Sequence, residues 1–529
     1  MTVTGLLAVG LAACSQPSTG PDASGDGAGG GGEQGGGDGG TVTVALAEAP
    51  DALDPTVAST YVGRIVFANM CEKLYDVGDG LQIVPQLASA LPEISADGKT
   101  YTIPLREATF NDGTEFDAAA VKTTLEHYMT APKSARAAEL TNVKSVEVVD
   151  PQTVRLHLKG PYAPFTSILA DRSGMILSPT QLEKLGDDFA DNPVCVGPFE
   201  FKDRPSSDRI ELSKSTDYYD ASKVHLDGVN FIAVTQPNVR SANLRSGDVD
   251  IADRIAPPDV ATLKGESGVK LWPVTSLGYQ GITINVSNTQ GAGKPSDAPA
   301  DNPLARSEEL RQAFALSLNR ETINQVVYQG QYVPGCTPIS PDSPYAPDLT
   351  CPEQDIAKAK QLVADSGVPT PIDVNLVVEA ANSESAKLGT VIQSMAKQAG
   401  FAVHVRPTEF TTALDAASKG DFMTFQVGWS GRLDPDQNIA PFWDPNSALN
   451  YSGANYADVQ KLIEQERTTT DEDQRKQIFQ DLAESFLVHN NIIYLYHPQV
   501  VMGYRSSVTG IQYFGDGLIR LKSASISGE

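Results

Sequence analysis

The chain has few basic residues for its length. Its 529 residues include 40 lysines and arginines against 66 aspartates and glutamates, giving a formal net charge of −26 and a pI near 4.6. A nucleic-acid partner requires a basic surface that neutralises phosphates, so this composition argues against one. The hydrophobic class is 40% of the residues, as in a globular protein, and the length suggests two or three domains.

Long apolar runs are absent after the first fourteen residues. No later segment reaches 18 consecutive apolar residues, so we expect no membrane-spanning helix in the body of the protein. The opening run, MTVTGLLAVGLAAC, is too short to span a bilayer and is typical of the end of a secretory signal. Its last four residues, Leu11 to Cys14, resemble a bacterial lipobox, in which the cysteine is lipidated after cleavage. Residues 15–40 form a Gly/Ser/Asp tether without packable side chains.

Motifs for catalysis, metal binding and phosphate binding are missing too. The histidines form neither H-x-x-H nor H-E-x-x-H, so local spacing supports no metal site. The tetrapeptide GWSG at 428–431 is one residue short of a nucleophile elbow, and S-x-x-K at Ser267 and Ser394 lacks its companion boxes. GAGKP at 291–295 has Pro where a phosphate loop requires Ser or Thr. We therefore predict no enzyme, no metal and no cofactor.

The five cysteines include four beyond Cys14. Cys336 and Cys351 bracket a Pro-rich loop, where a covalent bond would replace missing secondary structure, so an exported chain should form a disulfide there. Cys71 and Cys195 remain. We expect them to form a second disulfide, with two inert buried thiols as the alternative.

Strands and helices alternate along the chain. A β-rich region near 81–116 contains the turn signals Asp97-Gly98 and Asp112-Gly113, and a helix follows at about 117–130. Further along, strands are predicted at 373–378, 401–405 and 421–428, and helices at 307–319, near 383–399 and at 410–418. This alternation predicts an α/β fold with a largely parallel sheet.

One loop has an unusual composition. GWSGRLDPDQN, residues 428–438, combines an indole, an arginine and two carboxylates in a Gly/Pro turn, where small polar residues are the norm. It begins where the strand 421–428 should end, and open α/β sheets bind ligands beyond the carboxyl ends of their strands. We expect a pocket at this loop.

Several motifs occur in the order typical of one family. They are the segment from IVPQLASALPEISADGKTYTIPLREATFNDGTEF to TTLEH, then VGPFEF with DYYD, LRSGDVDIA, PLARSEELRQAFALSLNRETI and the GWSGRLDPD loop. Over residues 43–522 the chain resembles the extracytoplasmic solute-binding proteins of ABC importers, in the family 5 group that includes oligopeptide, dipeptide and nickel binders. The resemblance implies a class II periplasmic-binding-protein-like fold of the large three-domain type, with a ligand enclosed between two lobes.

The lobes can be mapped onto this sequence. Lobe 1 would cover 41–276 plus 500–529, with an inserted subdomain at about 62–195, and lobe 2 would cover 277–499. The chain would cross between the lobes near Thr275 to Tyr279 and near Tyr496 to Val500.

The resemblance also implies candidate ligand contacts. They are Glu48, Ala49 and Pro50 after the first strand, Tyr279 at the first crossing, Trp429, Ser430, Gly431 and Arg432 in the loop, and the acidic turn Asp434 and Asp436. Two alternatives remain open. The indole of Trp429 could pack between the lobes without contacting a ligand. The acidic turn could be purely structural, because Asp readily caps the backbone that follows it.

Arg432 departs from the family pattern. Dipeptide and oligopeptide binders typically have an Asp at this position, which receives the ammonium group of the ligand. A guanidinium cannot neutralise an amine, so Arg432 suggests a carboxylate or phosphate on the ligand. The alternative is that Arg432 pairs with Asp434, Asp436 or Glu48 and never meets a ligand.

These observations predict a monomeric, lipid-anchored binding protein that performs no chemistry and delivers a small solute to an ABC permease. The expected ligand is a short peptide or peptide-like conjugate with an acid group, and an opine-like or sugar-phosphate compound comes next. A surface interaction or signalling lipoprotein on the same fold is the alternative function, and an exported hydrolase is a weaker one.

Overall fold

The computed structural model describes residues 39–380 and 382–527 of the chain. The predicted signal segment, the lipidation candidate Cys14 and the tether up to residue 38 lie outside the described residues. In the described part, two mixed β-sheets and the helices around them pack on separate hydrophobic cores. The predicted α/β class is confirmed.

The first sheet belongs to lobe 1. Its seven strands within the described residues are, in spatial order, Phe199–Ser206, Arg209–Lys214, Gly228–Ala233, Thr41–Leu46, Ile251–Ala252, Gln499–Arg505 and Val269–Thr275. Thr41–Leu46 runs parallel to both of its neighbours, and the other pairings are antiparallel. The TVTVAL sequence suits this central place, because Val42 and Val44 are fully buried on one face of the strand.

The second sheet belongs to lobe 2. Its six strands in the same described range are, in spatial order, Val333–Pro334, Ile492–His497, Tyr279–Ile284, Thr424–Trp429, Ile372–Glu379 and Phe401–Thr408. The last three run parallel and form the predicted βαβ series. The remaining pairings are antiparallel, so the expectation of a largely parallel sheet was wrong. The reason is the direction of the strand that enters from lobe 1. Tyr279–Ile284 begins beside Trp429, where Thr424–Trp429 ends, so these two strands run antiparallel.

A smaller sheet lies inside the predicted subdomain. Its strands in spatial order are Glu93–Ile94, Thr100–Pro104, Thr153–Leu158 and Val143–Asp150. Gly98 and Gly113 have positive φ angles of 66° and 82° in the two turns that the sequence predicted. Two-stranded ribbons complete the β-structure: Tyr75–Val77 with Ile83–Pro85, Ala108–Thr109 with Glu115–Phe116, Val508–Thr509 with Ser525–Ile526, and Gln512–Tyr513 with Ile519–Arg520.

The α-helices flank these sheets. In chain order they are Tyr61–Met70, Ala118–Thr130, Phe165–Ile168, Pro179–Leu185, Pro237–Ser246, Pro257–Lys264, Pro303–Arg306, Glu308–Leu316, Arg320–Tyr328, Ile356–Asp365, Ser383–Lys397, Phe410–Lys419, Asp436–Trp443, Ala457–Thr468 and Glu472–His489. Ser307 caps the helix Glu308–Leu316 as predicted, because its hydroxyl accepts a hydrogen bond from the amide of Leu310. None of the helices in the described ranges combines the length and apolar character needed to cross a membrane.

The chain crosses between the two sheets twice. It leaves the first sheet after Thr275, enters the second at Tyr279, and returns between His497 and Gln499. The crossings are hydrogen-bonded to each other, because the amide of Ser276 donates to the carbonyl of Pro498 at 2.9 Å. They therefore form one two-stranded connection, which is the geometry of a hinge. Below, lobe 1 and lobe 2 denote the two parts of the chain within the predicted boundaries.

Both expected disulfides are present. Cys71 is bonded to Cys195, and Cys336 to Cys351. The first joins residues 124 positions apart, whereas the second closes a loop with a separation of 15. The alternative of two inert thiols at Cys71 and Cys195 is excluded.

Removing the long-range disulfide should destabilise the protein more than removing the short one. Chain entropy predicts a loss of about 3 kcal/mol for a closed loop of ~15 residues and about 4.7 kcal/mol for one of ~100 residues. We expect Cys71→Ser with Cys195→Ser to lower the melting temperature further than Cys336→Ser with Cys351→Ser, as measured by calorimetry. A larger drop in the second variant would contradict the entropic argument.

Candidate ligand-binding cleft

A cavity of about 910 Å³ lies between the two lobes, against both crossings. Its volume is within the usual range for small-molecule sites. Lining residues from lobe 1 and the crossings include Tyr61, Arg254, Ala256, Pro257, Ser276, Pro498, Val500 and Asp516. Lining residues from lobe 2 include Gln280, Gln331, Tyr332, Glu379, Asn382, Glu384, Trp429 and Ser430.

Hydrogen bonds join the lobes around this cavity. The side-chain amide of Gln331 in lobe 2 donates to the carbonyl of Pro257 in lobe 1 at 2.7 Å. On the subdomain side, the hydroxyl of Tyr162 donates to a carboxylate oxygen of Asp436 at 3.1 Å, and the amide of Ala163 donates to the carbonyl of Arg467 at 2.8 Å. A ligand in the cavity would therefore be enclosed by groups from both lobes.

Strand ends explain why polar side chains meet here. Ile372–Glu379 and Thr424–Trp429 run parallel and both end at the cavity, so Glu379 and Trp429 reach it together. In lobe 1, Arg254 follows the short strand Ile251–Ala252. This arrangement matches the expectation that ligands bind beyond the carboxyl ends of strands.

Among the described residues that line the cavity, Arg254 is the cationic one. Its φ angle is +52°, a left-handed conformation that non-glycine residues adopt at a cost of roughly 1–3 kcal/mol. Its guanidinium lies 4.1 Å from the centre of the Tyr61 ring, and its Nε is 3.8 Å from a carboxylate oxygen of the fully buried Asp253. The side chain keeps 40% of its surface exposed. A strained arginine with one face on an aromatic ring and one open to a cavity is suited to hold an anion.

Trp429 and Ser430 line the cavity, as the sequence suggested. The Trp429 ring meets Phe442 edge to face, with ring centres 5.2 Å apart. Its Nε1 is buried, and among the described residues it has no hydrogen-bond acceptor. The indole therefore packs against the lobe at the cavity wall, and its buried N–H is not used by any described acceptor.

Arg432 lies behind the wall and is absent from the cavity lining. Its backbone amide donates to the side-chain oxygen of Asn438 at 2.7 Å, and its guanidinium donates to the carbonyl of Gly431 at 2.8 Å. The guanidinium carbon also lies 4.8 Å from the centre of the Trp429 ring. Burial, followed by the positive charge of Arg64, lowers the pKa of Arg432. Its polar contacts lie within the loop.

The predicted alternative partners of Arg432 are bound elsewhere. Both carboxylate oxygens of Asp434 accept hydrogen bonds from Arg475, at 2.6 and 2.8 Å, and Asp436 accepts one from Arg467 at 2.6 Å. No carboxylate lies within ion-pair distance of Arg432 in residues 39–380 and 382–527, so the alternative that it pairs with Asp434, Asp436 or Glu48 was wrong. The two aspartates are buried, which favours the structural interpretation of the acidic turn.

Arg475 joins this turn to two helices. It also binds the carboxylate of Glu466 at 2.5 Å. Arg475, Asp434 and Glu466 are all at most 5% exposed. Burial, followed by the charge of Asp436, raises the pKa of Glu466 well above its ordinary value. The loop is therefore anchored by a buried ionic network.

The other predicted contacts are packed in the protein interior or lie outside the cavity lining. Tyr279 is 3% exposed and meets Tyr494 edge to face, with ring centres 4.9 Å apart. Gly431 has a φ of +77°, and a Cβ there would lie 2.2 Å from the carbonyl carbon of Leu277. The first-strand loop contributes no lining residue: Glu48 is exposed, Ala49 is half-buried, and the Pro50 carbonyl accepts a hydrogen bond from Arg204 at 3.1 Å.

Sequence reasoning missed most of the lining side chains, among them Tyr61, Arg254, Glu379 and Glu384. Glu379 could have been found, because it directly follows the predicted strand 373–378, just as Trp429 follows the predicted strand 421–428. Arg254 lies two residues after the LRSGDVDIA motif, yet nothing local distinguishes it from a surface arginine. Within the described residues, no group of three or more His, Cys, Asp or Glu side chains is placed to hold a metal ion.

The family profile of bacterial extracellular solute-binding proteins, family 5, matches residues 82–450. This chain belongs to that family. As a family 5 protein it is an extracellular solute-binding protein with the two-lobed fold, and the sequence-based identification is confirmed.

Relatives within and around the family span nearly the whole chain. The glutathione-binding protein GsiB of Salmonella paratyphi A is 26% identical over 491 residues, which are 90% of this chain and 92% of GsiB. The ABC transporter substrate-binding protein CtaP of Listeria monocytogenes has a TM-score of 0.83 at 23% identity, over 93% of this chain and 100% of CtaP. AgaA of A. tumefaciens R10, solved with agropinic acid, has a TM-score of 0.75 at 25% identity, over 93% of this chain and 99% of AgaA.

Replacing Arg475 by Met should strongly destabilise this family 5 protein. The change leaves the carboxylates of Asp434 and Glu466 buried without their cation, so we expect a loss of about 3–5 kcal/mol in the free energy of unfolding, measured by urea denaturation. The control is Lys476→Met on the same helix, which removes a 3.5 Å surface pair with Glu472 and should cost less than about 1 kcal/mol. Equal losses in the two variants would contradict the anchoring role.

Proposed function

We propose that this family 5 protein captures a peptide-like solute with an acid group and delivers it to an ABC permease. The observation that carries the proposal is the cavity of about 910 Å³ between the lobes, with the guanidinium of Arg254 on its wall. Residues from both lobes line it, so closure around a ligand would create contacts that the open form lacks.

The ligand class is supported by two relatives. GsiB is named for glutathione, a tripeptide with free carboxyl groups, and AgaA was solved with agropinic acid. Both ligands are acids derived from amino acids, and a carboxylate fits the planar fork of an arginine. An accessible acid group on a peptide or on an opine-like conjugate is therefore our proposal for the ligand of this chain.

Arg254 replaces Arg432 as the proposed anion contact. Arg254 lines the cavity and has an exposed face, whereas Arg432 makes its hydrogen bonds within its own loop. In this proposal Trp429 and Ser430 contact the ligand. Arg432 would position the Trp429 ring, against which its guanidinium lies.

The remaining parts of the proposal concern the cellular location of the protein and its partners. We infer that Cys14 carries a lipid, that residues 15–40 tether the lobes above the membrane, and that the protein acts as a monomer beside its permease. A Gly-rich tether behaves as a flexible coil, which leaves the lobes free to reach the transporter. The proposed activity is binding without catalysis.

Replacing Arg254 by Met should abolish most of the affinity for the acid ligand. The ligand is first identified by native mass spectrometry of protein purified without refolding, and that compound and glutathione are then titrated by calorimetry. Loss of a buried anion contact should weaken binding by about 30-fold to several thousand-fold, which corresponds to roughly 2–5 kcal/mol.

Arg432→Met is the matched comparison for this experiment, because it removes the other candidate guanidinium. We expect it to change the affinity much less than Arg254→Met. A larger loss in Arg432→Met would return the anion contact to Arg432. A protein that carries no compound and binds neither glutathione nor other short peptides would overturn the proposed ligand class.

Cys14→Ser should release the protein from the membrane. Expressed in a bacterium with lipoprotein processing, the unaltered chain should incorporate labelled palmitate and fractionate with membranes, and the variant should do neither. Ser15→Ala serves as the control and should keep the label. An unlabelled parent protein that is not membrane-bound would refute the lipid anchor.

A further inference from the structure

A second cavity, of about 250 Å³, extends into lobe 2 from the cleft. The two cavities share lining residues, including Gln280, Tyr332, Glu379 and Glu384, so the smaller one is a side pocket of the larger. Tyr328 and Tyr496 line the side pocket but not the larger cavity. Its position makes it accessible to one end or one side chain of a ligand held in the cleft.

The charge of this side pocket is entirely negative. Glu379 and Glu384 are the charged residues among the described side chains that line it, and neither lysine nor arginine is present there. Glu379 accepts a hydrogen bond from the side-chain amide of Asn382 at 3.3 Å. The opposite wall of the cleft, in lobe 1, presents the guanidinium of Arg254 and the carboxylate of Asp516, which is already paired with Arg520 at 2.6 Å. The cleft therefore has a guanidinium on one wall and two carboxylates in the side pocket.

Glu384 is a carboxylate without a direct ion-pair partner among the described residues. It lies in the first turn of the helix Ser383–Lys397, where its backbone amide donates to the capping side chain of Asn382. Its side-chain oxygens have neither a hydrogen bond nor an ion pair with any of the described residues. Burial raises the pKa of Glu384, and the charge of Lys387 offsets this only in part. A half-buried carboxylate without a partner is stabilised by an incoming cation.

Stacked tyrosines form the wall next to this carboxylate. The ring centres of Tyr328 and Tyr332 lie 4.4 Å apart at 26°, and those of Tyr332 and Tyr496 lie 5.3 Å apart at 27°. Tyr332 and Glu384 line the same two cavities, and burial first and the Glu384 charge second raise the pKa of the Tyr332 phenol. Aromatic faces attract cations through their quadrupoles, and the attraction grows when water is excluded.

A metal ion is a poorer occupant of this pocket than an organic cation. Hard divalent ions require about six oxygen ligands, and no group of three metal-ligating side chains occurs in the described ranges. Aromatic walls with one or two carboxylates are instead typical of sites for ammonium and guanidinium groups.

We propose that the side pocket beside Glu384 binds an ammonium or guanidinium group of the ligand, while Arg254 holds its acid group. The inference rests on the proposed function and narrows it, because the solute would carry charges of both signs. Glu384 would then determine specificity for a cationic group, with Glu379 in support.

Matched peptides test the inference. The probes are N-acetylated trialanine peptides in which lysine, or its uncharged analogue norleucine, replaces one alanine at each position in turn, so that the lysine side chain is the one cationic group of the probe. With the unaltered protein we expect lysine to bind at least about tenfold tighter than norleucine at one position. Glu384→Gln should remove most of that preference while leaving the affinity of the norleucine peptide nearly unchanged.

Glu321→Gln is the control, because Glu321 is also an acid in the first turn of a lobe 2 helix but is exposed and absent from the pocket lining. It should keep the lysine preference. Peptides that bind without any lysine preference, or an equal loss for both peptides in Glu384→Gln, would overturn the inference and leave the proposed function intact.

The compound that copurifies with the protein provides a second measurement. A compound with an amine or guanidine group whose affinity falls in Glu384→Gln supports the inference, and a compound without such a group overturns it. Absence of any bound compound together with no binding of any peptide would instead overturn the proposed function.

Discussion

The buried ion network of Arg475, Asp434 and Glu466 is the interaction on which the cleft depends. It fastens the segment after Trp429 to two helices, Ala457–Thr468 and Glu472–His489. Taking ionisable groups out of water is costly, so such a network is stable only when each group keeps its partners. Asp436 continues it to Arg467 and to Tyr162 of the subdomain, which places one lobe against the other. The Trp429 wall is therefore a fixed element, as ligand recognition requires.

The two crossings impose the second constraint. The chain enters lobe 2 at Tyr279, beside the last residue of Thr424–Trp429. Loops from both sheets therefore meet at the hinge. The crossing strand also explains why the lobe 2 sheet is mixed while its βαβ series stays parallel. The outcome is a cleft whose lobe 1 wall presents Arg254, beside an Asp516 that is already paired with Arg520, and whose lobe 2 wall presents Glu379 and Glu384. A guanidinium that faces two carboxylates favours an extended ligand with charged ends of opposite sign over a uniformly anionic one.

Sequence patterns predicted much of this architecture but did not identify which charged residues line the cavity. The Asp-Gly turns, the cap at Ser307 and the βαβ helices depend on neighbouring residues, so they could be predicted. Arg432 shows the limit. Its position after Trp429 suggested a ligand clamp, yet its guanidinium bonds to the carbonyl of Gly431. Arg254 carries no local signal, because its exposure to the cavity results from a left-handed backbone and from Tyr61, almost two hundred positions earlier.

The sequence by itself predicted the family, the α/β class, the Cys336–Cys351 disulfide and the place of the loop at a strand end, and it favoured a second disulfide between Cys71 and Cys195. The family was predicted from the order of its motifs, and the α/β class and the place of the loop from periodicity along the chain. Only the tertiary structure decided which arginine reaches the cavity and which carboxylates are already paired. Asp434 and Arg475 are 41 positions apart, and ion pairs of this kind depend on distances that folding creates between remote segments. Local sequence determines which charges a protein has, and the packed fold determines which of them remain free for a ligand.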